Sequence, residues 1–288
     1  MSSFPDETST GTTGTLSKSG SIDARTNGQV IEGLDVTGYV EIGADNVTLK
    51  NCRVRATSWA AVIVKGANAT IESCEVLSEY ATGGSKGVQF DGPSSGVVRR
   101  CDIHDCEDAI YIGTRNVTIE DNYIHDAHSN GSDPHIDGIQ LHGGVSSDIT
   151  IRHNAVHMLD IENSCVTMGV VQRVSVENNH LVGGGYTVYV DARHGEGTTA
   201  DVQVINNTFG SHNYGCLAIE QCDPYIAGNV DENGNPIPGQ AEGGNGGEVD
   251  PPPVVEPPPE SEVAEMTGEI VVAGISYDVK LTLTSQGT

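Results

Sequence analysis

The fold class that the sequence predicts is an all-β solenoid of stacked coils, and three observations predict it. A nine-residue phrase recurs seven times. Its copies are 21 to 32 residues apart, which is coil spacing. The 288 residues include 36 Gly and only 5% aromatics, and Gly, Asn and β-branched residues interrupt every window before a 3.6-residue apolar stripe can develop.

The copies are Asn46-Val-Thr-Leu-Lys-Asn-Cys-Arg-Val54, Asn68-Ala-Thr-Ile-Glu-Ser-Cys-Glu-Val76, Ser95-Gly-Val-Val-Arg-Arg-Cys-Asp-Ile103, Asn116-Val-Thr-Ile-Glu-Asp-Asn-Tyr-Ile124, Asp148-Ile-Thr-Ile-Arg-His-Asn-Ala-Val156, Arg173-Val-Ser-Val-Glu-Asn-Asn-His-Leu181 and Asp201-Val-Gln-Val-Ile-Asn-Asn-Thr-Phe209. Each alternates apolar and polar residues and then turns, so it reads as a short strand ending at a corner. A further strand lies between copies, as in Ala61-Val-Ile-Val64 or Thr187-Val-Tyr-Val190. One coil of about 25 residues cannot bury its own apolar side, so coils must stack into a parallel β-helix. Position seven then forms a structural column of Cys52, Cys74, Cys101, Asn122, Asn154, Asn179 and Asn207. Cys fills such a site as a small buried hydrophobe, while stacked Asn side chains hydrogen-bond along the axis. The seven Cys include no C-x-x-C pair, so neither a disulfide framework nor a zinc site is expected.

Four segments follow: an N-terminal arm or cap over 1–28, the β-helix over 29–230, an acidic Pro/Gly-rich linker over 231–265 and a β-strand tail over 266–288. The linker has eight Pro and no Lys or Arg. Two strands of tail cannot form a core alone, so docking or assembly is its expected role. With 14 basic against 40 acidic residues, the net charge of -26 leaves no footprint for nucleic acid or an anionic membrane. Met1-Ser2-Ser3-Phe4-Pro5-Asp6 lacks the basic and apolar regions of a signal peptide.

Function is sought in the insertions between copies. The longest carries Asp133, His135, Asp137 and His142, a candidate catalytic group in which an imidazole serves as base and Asp133 with Asp137 orient it or hold Ca²⁺. Tyr111 or Tyr189 is a candidate proton donor, and a hydrolytic version pairs Asp133 or Asp137 with Asp91 or Asp191. Aligning coils on inward apolar residues yields an outward strip for carbohydrate, with Gln89, Tyr111, Gln140 and Tyr189 in one row and Asp91, Asp191 and Glu220 in the next, joined by Arg193. Hydroxyls need forked polar partners and sugar faces stack on flat rings. The bland alternative is that the His-Asp pairs after Ile103 and Ile124 are coil turns, and that Asp137-Gly-Ile139 repeats the strand entry at Asp108-Ala-Ile110.

The repeated phrase, together with His135-Ile-Asp137-Gly-Ile-Gln140, Gly143-Gly and Ile149-Thr-Ile-Arg-His-Asn154, resembles the right-handed parallel β-helix proteins of the pectate-lyase-like superfamily from about Gln29 to Asn229. That resemblance implies the fold and leaves lyases, hydrolases, epimerases, adhesins and phage tail spikes as activities. Asp133-Pro134-His135 resembles the Asp-Pro-His of alginate C5-epimerases, which would make Asp133 and His135 catalytic, although the Tyr expected before the Asp is absent from Ser129-Asn-Gly-Ser132. Phe4-Pro-Asp6, Ile31-Glu-Gly-Leu-Asp35 and Val47-Thr-Leu-Lys-Asn51 resemble β-helix proteins of tailed bacteriophages and actinobacteria. The expectation is a virion-surface structural β-helix displaying a carbohydrate-interacting face. Its expected partners are a bacterial surface or extracellular polysaccharide and other virion proteins, met through residues 1–28 and 266–288, with a homotrimer as one assembly. A polysaccharide lyase or C5-epimerase acting extracellularly on an acidic glycan is the alternative.

Overall fold

The computed structural model describes residues 3–131, 135–142, 144, 146–158, 164–193, 195–240, 263–272 and 275–284. They fall in two compact units, 1–245 and 246–288. The first is a parallel β-helix with three sheets, of ten, nine and nine strands, each pairing one coil with the next. Strand pairing starts at Ser17–Ser19, which pairs with Leu34–Thr37, so the first coil begins within the expected arm.

The phrase is a strand of the third sheet, a corner, and the start of a strand of the first sheet, as Thr48–Lys50 and Arg53–Ala56 show. Its Asn and Asp residues have a backbone reason. The first position is left-handed at Asn46, Asn68, Asn116, Asp148 and Asp201, and the sixth at Asn51, Asp121, Asn178 and Asn206. Asn and Asp enter that region at least cost among residues with a Cβ. The interior is filled by stacked aliphatics such as Val88, Ile110, Ile139, Val166 and Val188, all fully buried.

The corner column is present as expected. From Asn122 through Asn154, Asn179, Asn207 to Asn229, each backbone N–H and each side-chain NH₂ donates to the next Oδ1 at 2.9–3.0 Å. Cys101 joins it by donating its N–H to Asn122 Oδ1 at 2.9 Å. Burial pushes the Cys52 thiol up to about 11, so it is no nucleophile at neutral pH. Gln240 ends the ladder: its Oε1 accepts the Asn229 N–H and its Nε2 donates to the Asn229 carbonyl. With Ile237 buried as well, residues 231–240 cap the last coil, a correction to a linker expected from Asp231.

The N-terminal residues lie on their own coils. Phe4 stacks on His180 with ring centroids 5.3 Å apart, Gly11 donates to the Arg100 carbonyl, and Thr13 exchanges hydrogen bonds with the Asn51 side chain. Residues 4–13 thus run back across several coils of their own chain, meeting them at His180, Arg100 and Asn51. In the second unit, Val263–Val272 and Ile275–Thr284 form an antiparallel hairpin.

Candidate functional site

The second sheet carries the expected strip. Register places Gln89, Tyr111, Gln140, Thr167, Tyr189 and Ala218 in one outward row. The next row holds Asp91, His142, Asp191 and Glu220, with the His142 N–H bonded to the Ile112 carbonyl and Asp191 in register with Glu220. Parallel rungs repeat at about 4.8 Å, so Tyr111 and Tyr189, three rungs apart, stand about 14 Å apart along the axis.

Three of these groups, Tyr111, Gln140 and His142, face solvent or lie half-buried together with Lys86 in a usable arrangement. Tyr111 Oη and His142 Nδ1 are 2.8 Å apart, and the Lys86 ammonium lies 5.5 Å from the Tyr111 ring centroid. Gln140, two residues before His142 and in register with Tyr111, is half-buried. Burial, then the charges of Asp91 and Asp108, push the Tyr111 phenol up, so it stays protonated at neutral pH. Further along, Arg193 is forked onto Asp191 at 2.7–2.9 Å and reaches within 4.0 Å of Glu220. Asp91 is exposed, whereas Gln89 and Asp191 are buried, so the strip is narrower than the two rows suggest.

Asp137 is corrected. It opens the strand Asp137–Leu141 and shares the parity of Ile139 and Leu141, so the period of two turns it inward, where it is 6% exposed. It continues a buried polar column that begins with the Lys86–Asp108 ion pair. The Asp137 N–H donates to Asp108 Oδ1, and Ser164 Oγ donates to Asp137 Oδ1 at 2.6 Å. Burial, then the Asp108 charge, push Asp137 up to about 7. Glu107 lies alongside; burial opposes its charge, but hydrogen bonds from Ser129, Gly84 and the His135 N–H hold it below the usual carboxylate range. His135 is exposed. Asp133 lies outside the described residues. Among the described residues no group of three or more His, Cys, Asp or Glu is arranged to hold a metal ion.

Sequence reasoning missed two parts of this face. Tyr186 and Tyr214 join Tyr189, with centroids 5.5 and 5.8 Å apart around Tyr186. A Cβ on Gly215 would lie 3.0 Å from the Tyr186 ring, so the glycine leaves room for it. Tyr214 is 64% exposed. Lys86, aligned with Asp108 by strand register, was the other omission.

The first sheet shows the opposite pattern. His104, His125 and His157 occupy one outward position on consecutive coils. His125 holds Asp102 with Nε2 and Asp126 with Nδ1, both at 2.8 Å, and stacks on Tyr123 at 4.2 Å. His104 holds Asp105 at 2.7 Å, and Asp105 and Asp126 are left-handed, so these His-Asp pairs are coil turns.

The family described as the right-handed β-helix region matches residues 39–231, more than half of the chain. No curated protein matches. Among solved structures the chain is similar to the Dettilon tailspike protein, at 14% identity and a TM-score of 0.41, over 76% of this chain and 60% of that one. It is also similar to the catalytic domain of a GH87 alpha-1,3-glucanase in complex with tetrasaccharides, at 12% identity and a TM-score of 0.37, over 73% and 56%. The chain spans less than two thirds of the length of either.

Proposed function

The chain belongs to the right-handed β-helix family, and on that premise we propose that it is a virion-associated structural β-helix whose second sheet displays a carbohydrate-interacting face. One observation carries the proposal: the Tyr186 ring packs against both Tyr189 and Tyr214 near the last strand of the second sheet, beside a polar row whose Asp191 and Glu220 are met by Arg193. Tyrosines so placed offer flat apolar faces to sugar rings, and the flanking carboxylate and guanidinium offer forked partners to hydroxyls. A linear polymer lying along the axis would meet Gln140 and the Tyr111–His142 pair within the same strip. Particle association is the second half of the proposal, with residues 1–28 and 266–288 as the segments expected to serve it.

The test is binding of the purified protein to bacterial capsular polymers, alginate and pectate, with and without Ca²⁺, by calorimetry or affinity electrophoresis. Binding that weakens in Tyr214→Ala supports the reading. Absence of binding to every polymer in the panel removes it.

A second reading, lyase or C5-epimerase on an acidic glycan, is favoured by the Tyr111–His142 contact at 2.8 Å, a phenol proton donor against an imidazole. In it His142 takes the proton next to the uronate carboxylate and Tyr111 protonates the leaving side. The acidic surface opposes such a substrate unless a cation intervenes. New ultraviolet absorbance from unsaturated ends, lost in His142→Ala, would establish the lyase; bound but unchanged polymer, with no exchange of the C5 hydrogen, would leave only binding.

A further inference from the structure

The C-terminal hairpin has a feature that its sequence shows only once the register is known. Met266 lies opposite Leu281, Ile270 opposite Tyr277 and Val272 opposite Ile275. In an antiparallel pair, opposed residues share a face and alternate positions share it too. One face therefore holds only apolar residues and a single Gly, at alternate positions from Ala264 to Val272 and from Ile275 to Leu283. Every charged residue, among them Glu265, Glu269, Asp278 and Lys280, falls on the other face. A two-stranded hairpin is marginal in water by itself; a stable one has more strands or a packed apolar face.

We propose that this face pairs with the same face of a second copy of the chain, making the hairpin a self-association module. Area supports the choice of occupant. Eight of its ten residues are Val, Ile, Leu, Met or Tyr, and each such side chain removes on the order of 60–120 Å² from water when buried. Two faces together thus bury about 1,000–1,900 Å², the range of specific, stable interfaces. Two hairpins packed face to face also make four strands around a closed apolar layer, which supplies the packed face that two strands lack. The face carries no charge that would demand a complementary partner, and a patch that meets itself is the usual basis of two-fold association.

The inference names a partner for residues 266–288 and does not depend on the glycan reading: a monomer that binds polymer removes this inference and leaves that one, and a multimer that binds none does the reverse. The experiment is light scattering on the full chain at micromolar concentration, with Ile270→Asp and Leu281→Asp on the apolar face and Thr267→Asp on the polar one. The expected result is a mass of two or more 30.2 kDa chains, reduced to one chain in the first two variants and kept in the third. A single-chain mass for the unaltered protein overturns the proposal, as does a multimer indifferent to all three substitutions. Hydrogen exchange guards against a hairpin that merely unfolds in the variants. In the unaltered chain, protection of residues 263–284 must fall on dilution; protection independent of concentration means the hairpin packs within its own chain, and overturns the proposal too.

Discussion

The first and second sheets are built on the same coils, yet they treat their outward polar groups in opposite ways. On the first sheet, His125 has both ring nitrogens on carboxylates, and Phe4 of the arm lies over His180 and the adjacent corner residue His153. On the second, Tyr214 and His142 are exposed, and the pair formed by Tyr111 and His142 is open to solvent. A solenoid gives both faces equal geometry, so the difference lies in how far the polar valences are satisfied within the chain. The satisfied face is structural, and the open one is the candidate for a ligand.

The largest effect breaks both faces at once. Asn154 is fully buried; its Oδ1 receives two donors from Asn122, and its NH₂ group serves the Ile119 carbonyl and Asn179. Asn154→Leu strands several buried groups, each worth about 1–3 kcal/mol, so a loss of about 3–5 kcal/mol is expected in chemical denaturation. Cys74→Ala, higher in the same column, removes only a small buried thiol and is expected to cost about 1–2 kcal/mol. Equal losses at the two positions would mean that the Asn ladder contributes no more than packing does.

The next prediction separates the inner from the outer layer of the second sheet. Asp137, raised to about 7, keeps a proton in the folded chain that the unfolded chain releases above about 4. Stability therefore falls as pH rises from about 4 to about 7, by on the order of 2–4 kcal/mol, and stays reduced above that. Asp137→Asn mimics the protonated form, keeps an acceptor for Ser164, and should remove most of this slope. An unchanged slope would assign it elsewhere. Tyr189→Ala, on the outer layer, should leave the pH profile alone and weaken polymer binding about tenfold, roughly 1.4 kcal/mol.

The repeat made the fold legible, because strand alternation, corner residues and column positions all recur within one phrase. Asn229 was overlooked since its coil carries Tyr225-Ile-Ala-Gly-Asn229, a degenerate phrase, and Gln240 because it reaches the column from a ten-residue excursion. The inward place of Asp137 was available from its parity with Ile139, but its position at the end of a polar insertion made it look like a loop residue. The Lys86–Asp108 pair joins residues 22 apart and becomes visible only once the two coils are set in register. Tyr214 lies in an insertion, where no period assigns a position. Which residues face outward was thus legible along the strands and obscure at their ends, where pairing between coils takes over from alternation.

The smallest effect tests whether the first sheet is as internally satisfied as its contacts imply. Burial disfavours the charged imidazole of His104, but hydrogen bonds to Glu75 and Asp105 outweigh it and raise the ring to about 9. A pKa raised on folding stabilises fully below the unfolded value near 6.5, and that contribution is lost as pH rises through 9. Solvent screening of the flanking carboxylates limits it to about 1 kcal/mol. Between pH 6.5 and 9, then, the unaltered chain should lose this increment of stability while His104→Gln, which has no proton to lose, shows a flatter profile. Polymer binding should be the same in both proteins, since His104 is on the face whose imidazoles His104 and His125 are held by carboxylates of their own chain; a binding defect in His104→Gln would mean that the first sheet, too, meets the ligand.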